Sequence, residues 1–267
     1  MTSVNQLNLR ILDKKFNLGD FSMTLKDAIQ KLGDEKSLEI AKNLANEMGL
    51  DWDGGLSFIF KIIATDPERI PGNIGSKADN EVSVIRKWLQ KYQSGMASRA
   101  SQRTSNPPGT VADPIIEQIV GARLPNLNPD ELNKVTYAHR LGMSAENILG
   151  LMLEEYLAEN LKESGWHCAW GETVKSVDFV NEDGRLLQIK NRSNSENSSS
   201  SSVRNGTKIE KWYRIKAERI QYKWDDLNAI CGTTNLSEEN FIKFVKKTLN
   251  KNPQCVAVEK NNPWQQL

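Results

Sequence analysis

Hydrophobic residues recur at helical spacing through the first third of the chain. Between residues 23 and 50 they fall three or four positions apart, and Gly33 and Gly49 stand where helices of this length would end. Residues 80–92 repeat the pattern. We therefore expect residues 1–92 to form a mainly helical region.

The pattern is lost between residues 93 and 114, where serine, glycine and proline take positions that a core would fill with apolar side chains. This composition is typical of a linker or a long surface loop. Arg99 and Arg103 in this stretch are solvated side chains in one interpretation and phosphate contacts in another.

The strongest helical signal covers residues 144–162, after a shorter helical stretch at about 129–142. Ser144 is placed to cap the N-terminus of the second helix. The apolar residues of this helix form one broad stripe. Glu154 lies at the flank of the stripe, whereas Glu155 and Glu159 are predicted to face solvent.

After this helix the pattern changes to the alternation typical of strands. Residues 173–180 and 185–190 are predicted strands of a β-hairpin, because the turn between them is rich in residues that tolerate positive φ. An amphipathic helix at 237–249 follows, and residues 255–258 are either a strand or a buried extended end. The order of elements predicts an α/β fold, with residues 115–267 as its main domain.

Charge and composition exclude several classes of protein. The net charge is only +1, but residues 173–267 carry 16 basic and 11 acidic groups, so the positive charge is local. No apolar run approaches the roughly 18 residues that a membrane helix needs. Three scattered cysteines favour a reducing intracellular compartment, and two histidines leave few candidates for a zinc site or a histidine-based hydrolase.

Three side chains of the hairpin suggest metal-assisted hydrolysis of a phosphodiester. Gln188 and Lys190 share one face of the second strand, and Asp178 on the first strand can face them. Oxygen ligands hold a hard divalent cation, and a lysine ammonium can steady the attacking water or the phosphate. Glu154 can supply a further oxygen; a surface glutamate beside Lys162 is the alternative.

A basic segment follows, with ten basic and three acidic residues between positions 185 and 223. Its expected partner is a nucleic-acid backbone. Its side chains include types that read base edges or bond to phosphates, and the DNA-binding candidates are Arg192, Ser193, Asn194, Glu196, Asn197, Arg204, Thr207, Lys208, Lys211 and Arg214. Trp212 is expected to pack in the core. Because seven of the ten residues 193–202 are serine, a flexible linker is the alternative.

These motifs resemble a known family. The run LLQIKNRSNSENSSSSSVRNGTKIEKWYR, with LGLMLEEYLAENL and SVDF before it and LSEENFIKFVKKTL after it, is similar to the SinI-type restriction endonucleases of the PD-(D/E)xK nuclease superfamily. The resemblance covers roughly residues 135–250, and residues 1–92 match nothing. It implies a restriction-endonuclease-like core, a mixed β-sheet flanked by helices.

The resemblance also implies roles for individual residues. Asp178 and Gln188 occupy the two acidic positions of the superfamily, Lys190 its lysine, and Glu154 its upstream helix glutamate, with Glu155 left open as the alternative. Asp178 and Glu154 are the implied metal ligands. Val177 stands where the superfamily name has proline. Gln188 replaces a charged ligand with a neutral one, as in Mrr-like nucleases, which puts metal number and affinity in question.

The function implied by the resemblance is that of a type II restriction enzyme, which cuts double-stranded DNA with Mg²⁺ at a short palindrome, the family's site being GG(A/T)CC. A palindromic target is matched by a protein with two-fold symmetry, so a homodimer is expected. A cognate DNA methyltransferase would be its functional partner in the bacterial cytoplasm.

Two other functions stay open. A DNA-binding protein without catalysis would use the basic segment 185–223 and keep the hairpin as a structural element. An RNA- or single-strand-specific nuclease would prefer unpaired substrate.

Overall fold

The computed structural model describes residues 23–72, 74, 80–107, 109, 113–193, 208–216 and 218–264. These residues form one four-stranded sheet and eight α-helices, with short 3₁₀ and π turns between them. The helices are α1 (Leu25–Leu32), α2 (Asp34–Glu47), α3 (Ser57–Thr65), α4 (Glu81–Ala97), α5 (Pro114–Arg123), α6 (Pro129–Leu161), α7 (Trp224–Cys231) and α8 (Glu238–Lys251). None of the described helices is long and apolar enough to cross a membrane.

In the N-terminal region, helices α1 and α4 begin at side-chain caps, and α1 ends at a glycine that was predicted to end a helix. Thr24 and Asp27 form a capping box at the start of α1, and Gly33 ends this helix with a φ of 77° that few other residues adopt readily. Asn80 caps α4 through the Ser83 backbone N–H. The predicted helical character of this region is therefore confirmed from residue 23 onward.

The stretch predicted as a linker is partly helical and partly anchored. Helix α4 continues to Ala97, five residues past the predicted boundary. The residues after it are tied to two other helices, because Glu155 of α6 accepts hydrogen bonds from Ser101 and the Asn252 amide at the end of α8 donates to the Ala100 and Arg103 carbonyls. Side-chain hydrogen bonds, invisible in the composition, hold this segment in place.

Helix α6 is one element of 33 residues. The predicted start at Ser144 is wrong, because Asn128 and Glu131 form the capping box of a helix that runs unbroken past Ser144. Ser144 is buried, and its hydroxyl accepts a hydrogen bond of 3.0 Å from the Ala257 backbone N–H. Residues 255–258 do not form a strand: Cys255 ends a 3₁₀ turn, Cys255 and Ala257 are buried, and Val258 is 36% exposed.

The sheet has the order β1 (Trp166–Cys168), β2 (Phe179–Asn181), β3 (Leu186–Arg192) and β4 (Ile209–Ile215). The β2–β3 hairpin is confirmed, and Gly184 in its turn has a φ of 84°. Its first strand is shorter than predicted, because residues 174–177 fold into a tight turn. Strand β4 pairs with β3 in parallel, which makes the sheet mixed.

The sheet lies between two layers of helices. Val180, Leu186 and Ile209 face the core formed with α1–α4. Phe179, Leu187 and Trp212 face the other core, formed with α6, α7 and α8. This arrangement confirms the predicted α/β fold with a mixed sheet flanked by helices. The core formed with α1–α4 contains residues from both sides of position 92. The division of the chain into residues 1–92, 93–114 and 115–267 stays a prediction.

Helix α4 crosses the turn after β1 at very short distance. A Cβ on Gly95 would lie 2.2 Å from the Gly171 backbone nitrogen, and a Cβ on Gly171 would lie 2.4 Å from the Lys91 carbonyl oxygen. Backbone atoms cannot move aside as a side chain can, so both positions require glycine.

We expect Gly95→Ala to lower the free energy of unfolding by about 1–3 kcal/mol through overpacking. Gly142→Ala is the matched control, because Gly142 lies inside α6 and a Cβ added there would have nothing within 4 Å. That change should raise stability by up to about 1 kcal/mol through helix propensity. Urea unfolding of both variants checks this; equal effects would contradict the close crossing.

Candidate active site

A cavity of about 310 Å³ opens between α4, α6 and β1. Glu154 of α6 and Asp178 line it together with Trp170, Gly171 and Glu172 of the turn after β1. Gly95, Ser98 and Arg103 line its other side. The cavity therefore brings together two of the predicted site residues, Glu154 and Asp178, that lie 24 positions apart in the sequence.

Asp178 immediately precedes β2 and is bonded to both neighbouring strands. Its backbone N–H donates to the Leu187 carbonyl at 2.9 Å, and its own carbonyl accepts from the Ala169 N–H at 2.8 Å. Its carboxylate Oδ2 accepts a hydrogen bond of 2.7 Å from the Ile189 N–H. The carboxylate is thus held against β3 at the position between Gln188 and Lys190.

Gln188 and Lys190 are half-buried and share one face of β3. Leu187 and Ile189 alternate with them and are buried in the core with α6. In the parallel register Gln188 lies beside Lys211, and Lys190 beside Tyr213.

Glu154 is half-buried in an acidic environment. Burial, together with the nearby carboxylates of Asp178 and Glu172, raises its pKa to about 8. A carboxyl group with this pKa holds a proton at neutral pH unless a positive charge compensates it. Glu172, which the sequence interpretation did not consider, has a φ of 55° and contributes to this charge.

The neighbouring Glu155 does not face solvent as predicted. It is 2% exposed, it accepts hydrogen bonds from the backbone N–H and the hydroxyl of Ser101, and it forms an ion pair of 3.1 Å with Arg99 Nε. The apolar stripe of α6 is wide enough to bury Glu155, because the ion pair with Arg99 and the hydrogen bonds from Ser101 compensate the burial of its charge. Of the two glutamates, Glu154 is therefore the one that lines the cavity.

The carboxylates of Glu154 and Asp178 fit a hard divalent cation. Mg²⁺ usually takes one or two protein carboxylates and completes its shell with water and substrate phosphates. Within the described residues, no cluster of three or more His, Cys, Asp or Glu side chains is arranged for metal binding. Glu154 and Asp178, in an open cavity, match the one or two carboxylates that Mg²⁺ usually takes from a protein.

The known proteins that this chain is similar to are restriction endonucleases. The family model described as SinI restriction endonuclease matches residues 56–251. The chain is 36% identical to the type II restriction enzyme Eco47I from Escherichia coli over 218 residues, which cover 80% of this chain and 94% of that enzyme. It is 31% identical to the type II restriction enzyme SinI from Salmonella infantis over 222 residues, covering 81% and 96%.

The chain belongs to the SinI restriction endonuclease family. This confirms the predicted resemblance and the prediction of a type II site-specific nuclease. The match is longer than the sequence interpretation allowed, since it begins at residue 56 and includes α3 and α4. These helices carry no motif that stands out, but α4 forms one wall of the cavity.

The predicted DNA-binding residues divide into two groups. Asn194, Glu196, Asn197, Arg204 and Thr207 lie outside the described residues. Among the others, Arg192 and Ser193 are exposed at the end of β3, and Lys208 and Lys211 are exposed at the start of β4. Because the strands are parallel, Arg192 lies beside Ile215 and not beside Lys208. These described basic residues are therefore spread along the sheet.

Arg214, a predicted DNA contact, is buried and paired with groups of the protein. It is 8% exposed, it donates to Asn191 Oδ1 at 2.9 Å and it pairs with Glu238 of α8. Its guanidinium also lies over the Phe241 ring. Trp212 is buried, as predicted, and its indole N–H donates to the Lys223 carbonyl.

We expect Glu154→Gln to stabilise the cation-free protein at pH 8 and to have little effect at pH 4. The pKa of Glu154 in the folded state is raised from 4.5 to about 8, so the folded state binds this proton more tightly than the unfolded state. The resulting stabilisation is complete below pH 4.5 and is lost as the pH rises to 8. At pH 8 the variant should gain at least about 1 kcal/mol.

Urea unfolding in the presence of a chelator, at several pH values, measures this difference. Glu159→Gln on the exposed face of α6 is the control and should follow the wild type. If Glu154→Gln also parallels the wild type between pH 4 and 8, the acidic environment of Glu154 is disproved.

Proposed function

We propose that this enzyme hydrolyses phosphodiester bonds of double-stranded DNA at GG(A/T)CC in a reaction that requires Mg²⁺. The observation that carries the proposal is the pair Glu154 and Asp178 in one cavity, with Asp178 hydrogen-bonded to β3 between Gln188 and Lys190. Membership of the SinI restriction endonuclease family supports the substrate class.

In this proposal Asp178 and Glu154 hold the cation, Gln188 orients a ligand or a water molecule, and Lys190 assists the nucleophile. A bound divalent cation would stabilise the charge that develops on the phosphate and lower the pKa of a coordinated water. Without a cation, each ionised carboxylate of the cavity disfavours a phosphate there, because like charges repel. Cation and DNA are therefore expected to bind cooperatively.

Base recognition is assigned to the segment after β3. Arg192 and Ser193 are exposed where this segment begins, and Lys208 and Lys211 are exposed where it ends. Arginine and asparagine recognise guanine and adenine in the major groove, and serine and lysine contact phosphates. We propose Arg192, Asn194, Glu196, Asn197 and Arg204 as base contacts, and Ser193, Thr207, Lys208 and Lys211 as backbone contacts.

We further propose that the enzyme is a homodimer with its two-fold axis beside α5. No residue of α5 and no residue of α6 before Ser144 is buried. Ile115, Ile116 and Ile119 are 54–62% exposed, and the nearby Leu124, Val135 and Met143 are 43–49% exposed. An apolar surface on projecting helices is typical of a covered interface, and a palindromic site requires a second copy related by a two-fold axis.

A restriction activity damages unprotected host DNA. We therefore propose a cognate DNA methyltransferase of the same specificity as the functional partner, and the bacterial cytoplasm as the compartment. The buried, unpaired thiols of Cys168, Cys231 and Cys255 are compatible with reducing conditions.

We expect the wild type to cut a DNA of known sequence only at GG(A/T)CC and only when Mg²⁺ is added. Lys190→Ala and Asp178→Asn should lower the single-turnover rate at least about 1000-fold while binding in Ca²⁺ stays specific, because both changes remove transition-state interactions. Gel analysis and sequencing of the fragment ends provide the readout.

Lys246→Ala on α8 is the control for the loss of a lysine and should cut normally. If the wild type binds the site and leaves DNA intact with Mg²⁺, the chain acts as a DNA-binding protein. Preferential cleavage of unpaired substrate would instead favour a single-strand or RNA nuclease.

For the dimer, we expect Ile116→Asp combined with Ile119→Asp to give a folded monomer with lowered cleavage of the palindrome, since buried carboxylates without partners oppose association. Light scattering after gel filtration measures the mass. Ile242→Asp on α8, an isoleucine that is 45% exposed, is the control and should remain dimeric. A dimeric double variant would place the interface elsewhere.

A further inference from the structure

Arg103 lies between the candidate active site and a second, polar cavity. It lines the cavity that contains Glu154 and Asp178, and it also lines one of about 120 Å³ together with Ser105, Asn106 and Asn147. The function proposed above assigns no role to this arginine or to the second cavity.

The backbone at Arg103 is fixed from both sides. Its N–H donates to the Arg99 carbonyl at 3.1 Å, and its own carbonyl accepts from the Asn252 amide at 2.8 Å. Two residues later, Ser105 bonds to the Gln254 and Cys255 carbonyls. A side chain on this segment therefore projects from a rigid support, which is what a precise binding site needs.

The guanidinium group of Arg103 has no acidic partner within the described residues, although three carboxylates lie around the adjoining cavity. Its Nε is buried, and it makes no hydrogen bond to any described group. Arg99, four residues earlier, contrasts with it, because its guanidinium pairs with Glu155 and donates to the Met96 carbonyl. A half-buried arginine with unused donors is suited to an anionic ligand.

The second cavity continues the surface of the active site along α6. Asn147 and Glu154 are seven residues apart, so they lie on the same side of the helix, about 10 Å from each other along its axis. Arg103 lies against the space between them. This length accommodates more than one phosphate of a DNA strand, and amide and hydroxyl groups are common phosphate ligands.

We propose that Arg103, with Asn106 and Asn147, binds a backbone phosphate of the DNA strand next to the phosphate that is cleaved. The proposal rests on the nuclease function proposed above. It makes Arg103 a positioning residue, which holds the strand so that the scissile phosphate reaches Glu154 and Asp178, and its positive charge offsets part of the repulsion from these carboxylates.

The first test compares Arg103→Ala, Arg103→Lys and wild type in binding to a duplex with the target site, in Ca²⁺, over a series of salt concentrations. Loss of one phosphate contact should reduce the slope of log K against log salt by about 0.9 in magnitude. Arg103→Lys should keep the slope and cut about tenfold more slowly, because lysine lacks the planar fork of donors. Arg86→Ala, which removes an exposed arginine paired with Glu47, should change neither quantity.

The second test replaces single phosphates of the duplex with neutral methylphosphonates. At one position beside the cleaved bond, the wild type should lose about tenfold in affinity and Arg103→Ala should lose nothing more, because the interaction is already absent. If thermal unfolding shows that Arg103→Ala does not fold, Arg103→Lys is used in its place. At that position Arg103→Lys should lose less affinity than the wild type.

The two proposals fail in different ways. If the wild type neither binds nor cuts the duplex, the proposed nuclease function is wrong. If the wild type cuts, but Arg103→Ala keeps its salt slope and loses affinity additively at every methylphosphonate position, only the phosphate site at Arg103 is wrong.

Discussion

The buried carboxylate of Glu155 is the constraint on which the candidate site depends. It is enclosed between α6 and the segment after α4, where Ser101 and Arg99 satisfy its charge. Removing the Arg99 guanidinium would leave a buried charge uncompensated, which typically costs several kcal/mol. Because Glu154 is the adjacent residue, fixing Glu155 also fixes the rotation of α6 that directs Glu154 toward Asp178. The same contact holds the segment that carries Arg103.

The sheet supplies the other half of the site. Its two faces are buried against different helical layers, so the strands cannot shift without disrupting both cores. Asp178 immediately precedes β2 and its backbone bonds to Ala169 and Leu187 on either side, while its carboxylate accepts a hydrogen bond from the Ile189 N–H. Backbone hydrogen bonds thereby hold Asp178 near Glu154, although two carboxylates in one cavity repel each other. The folded protein loses some stability and keeps a site that favours a cation.

The sequence predicted those helices and turns that depend on interactions between neighbouring residues. Helices α1, α4 and α8 were predictable from apolar spacing, with Gly33 at the end of α1, and the β2–β3 hairpin from alternation and its turn residues. The continuity of α6 through Ser144 was not, since a serine that caps a helix and one that bonds to a distant backbone N–H look alike in sequence. The roles of Glu154 and Asp178 stay predictions, but their shared cavity agrees with them.

The order of the amino acids was sufficient for the α/β class, the positions of several helices and the family, because these depend on periodicity and on motifs of neighbouring residues. Long-range packing was needed to establish which glutamate of α6 meets Asp178, that Arg214 is buried against Glu238, and that Arg103 borders the site. Each of these depends on residues from distant parts of the chain that satisfy or fail to satisfy a buried charge. The sequence alone does not show whether the partner of a charged side chain lies in the same protein, in solvent or in a bound ligand.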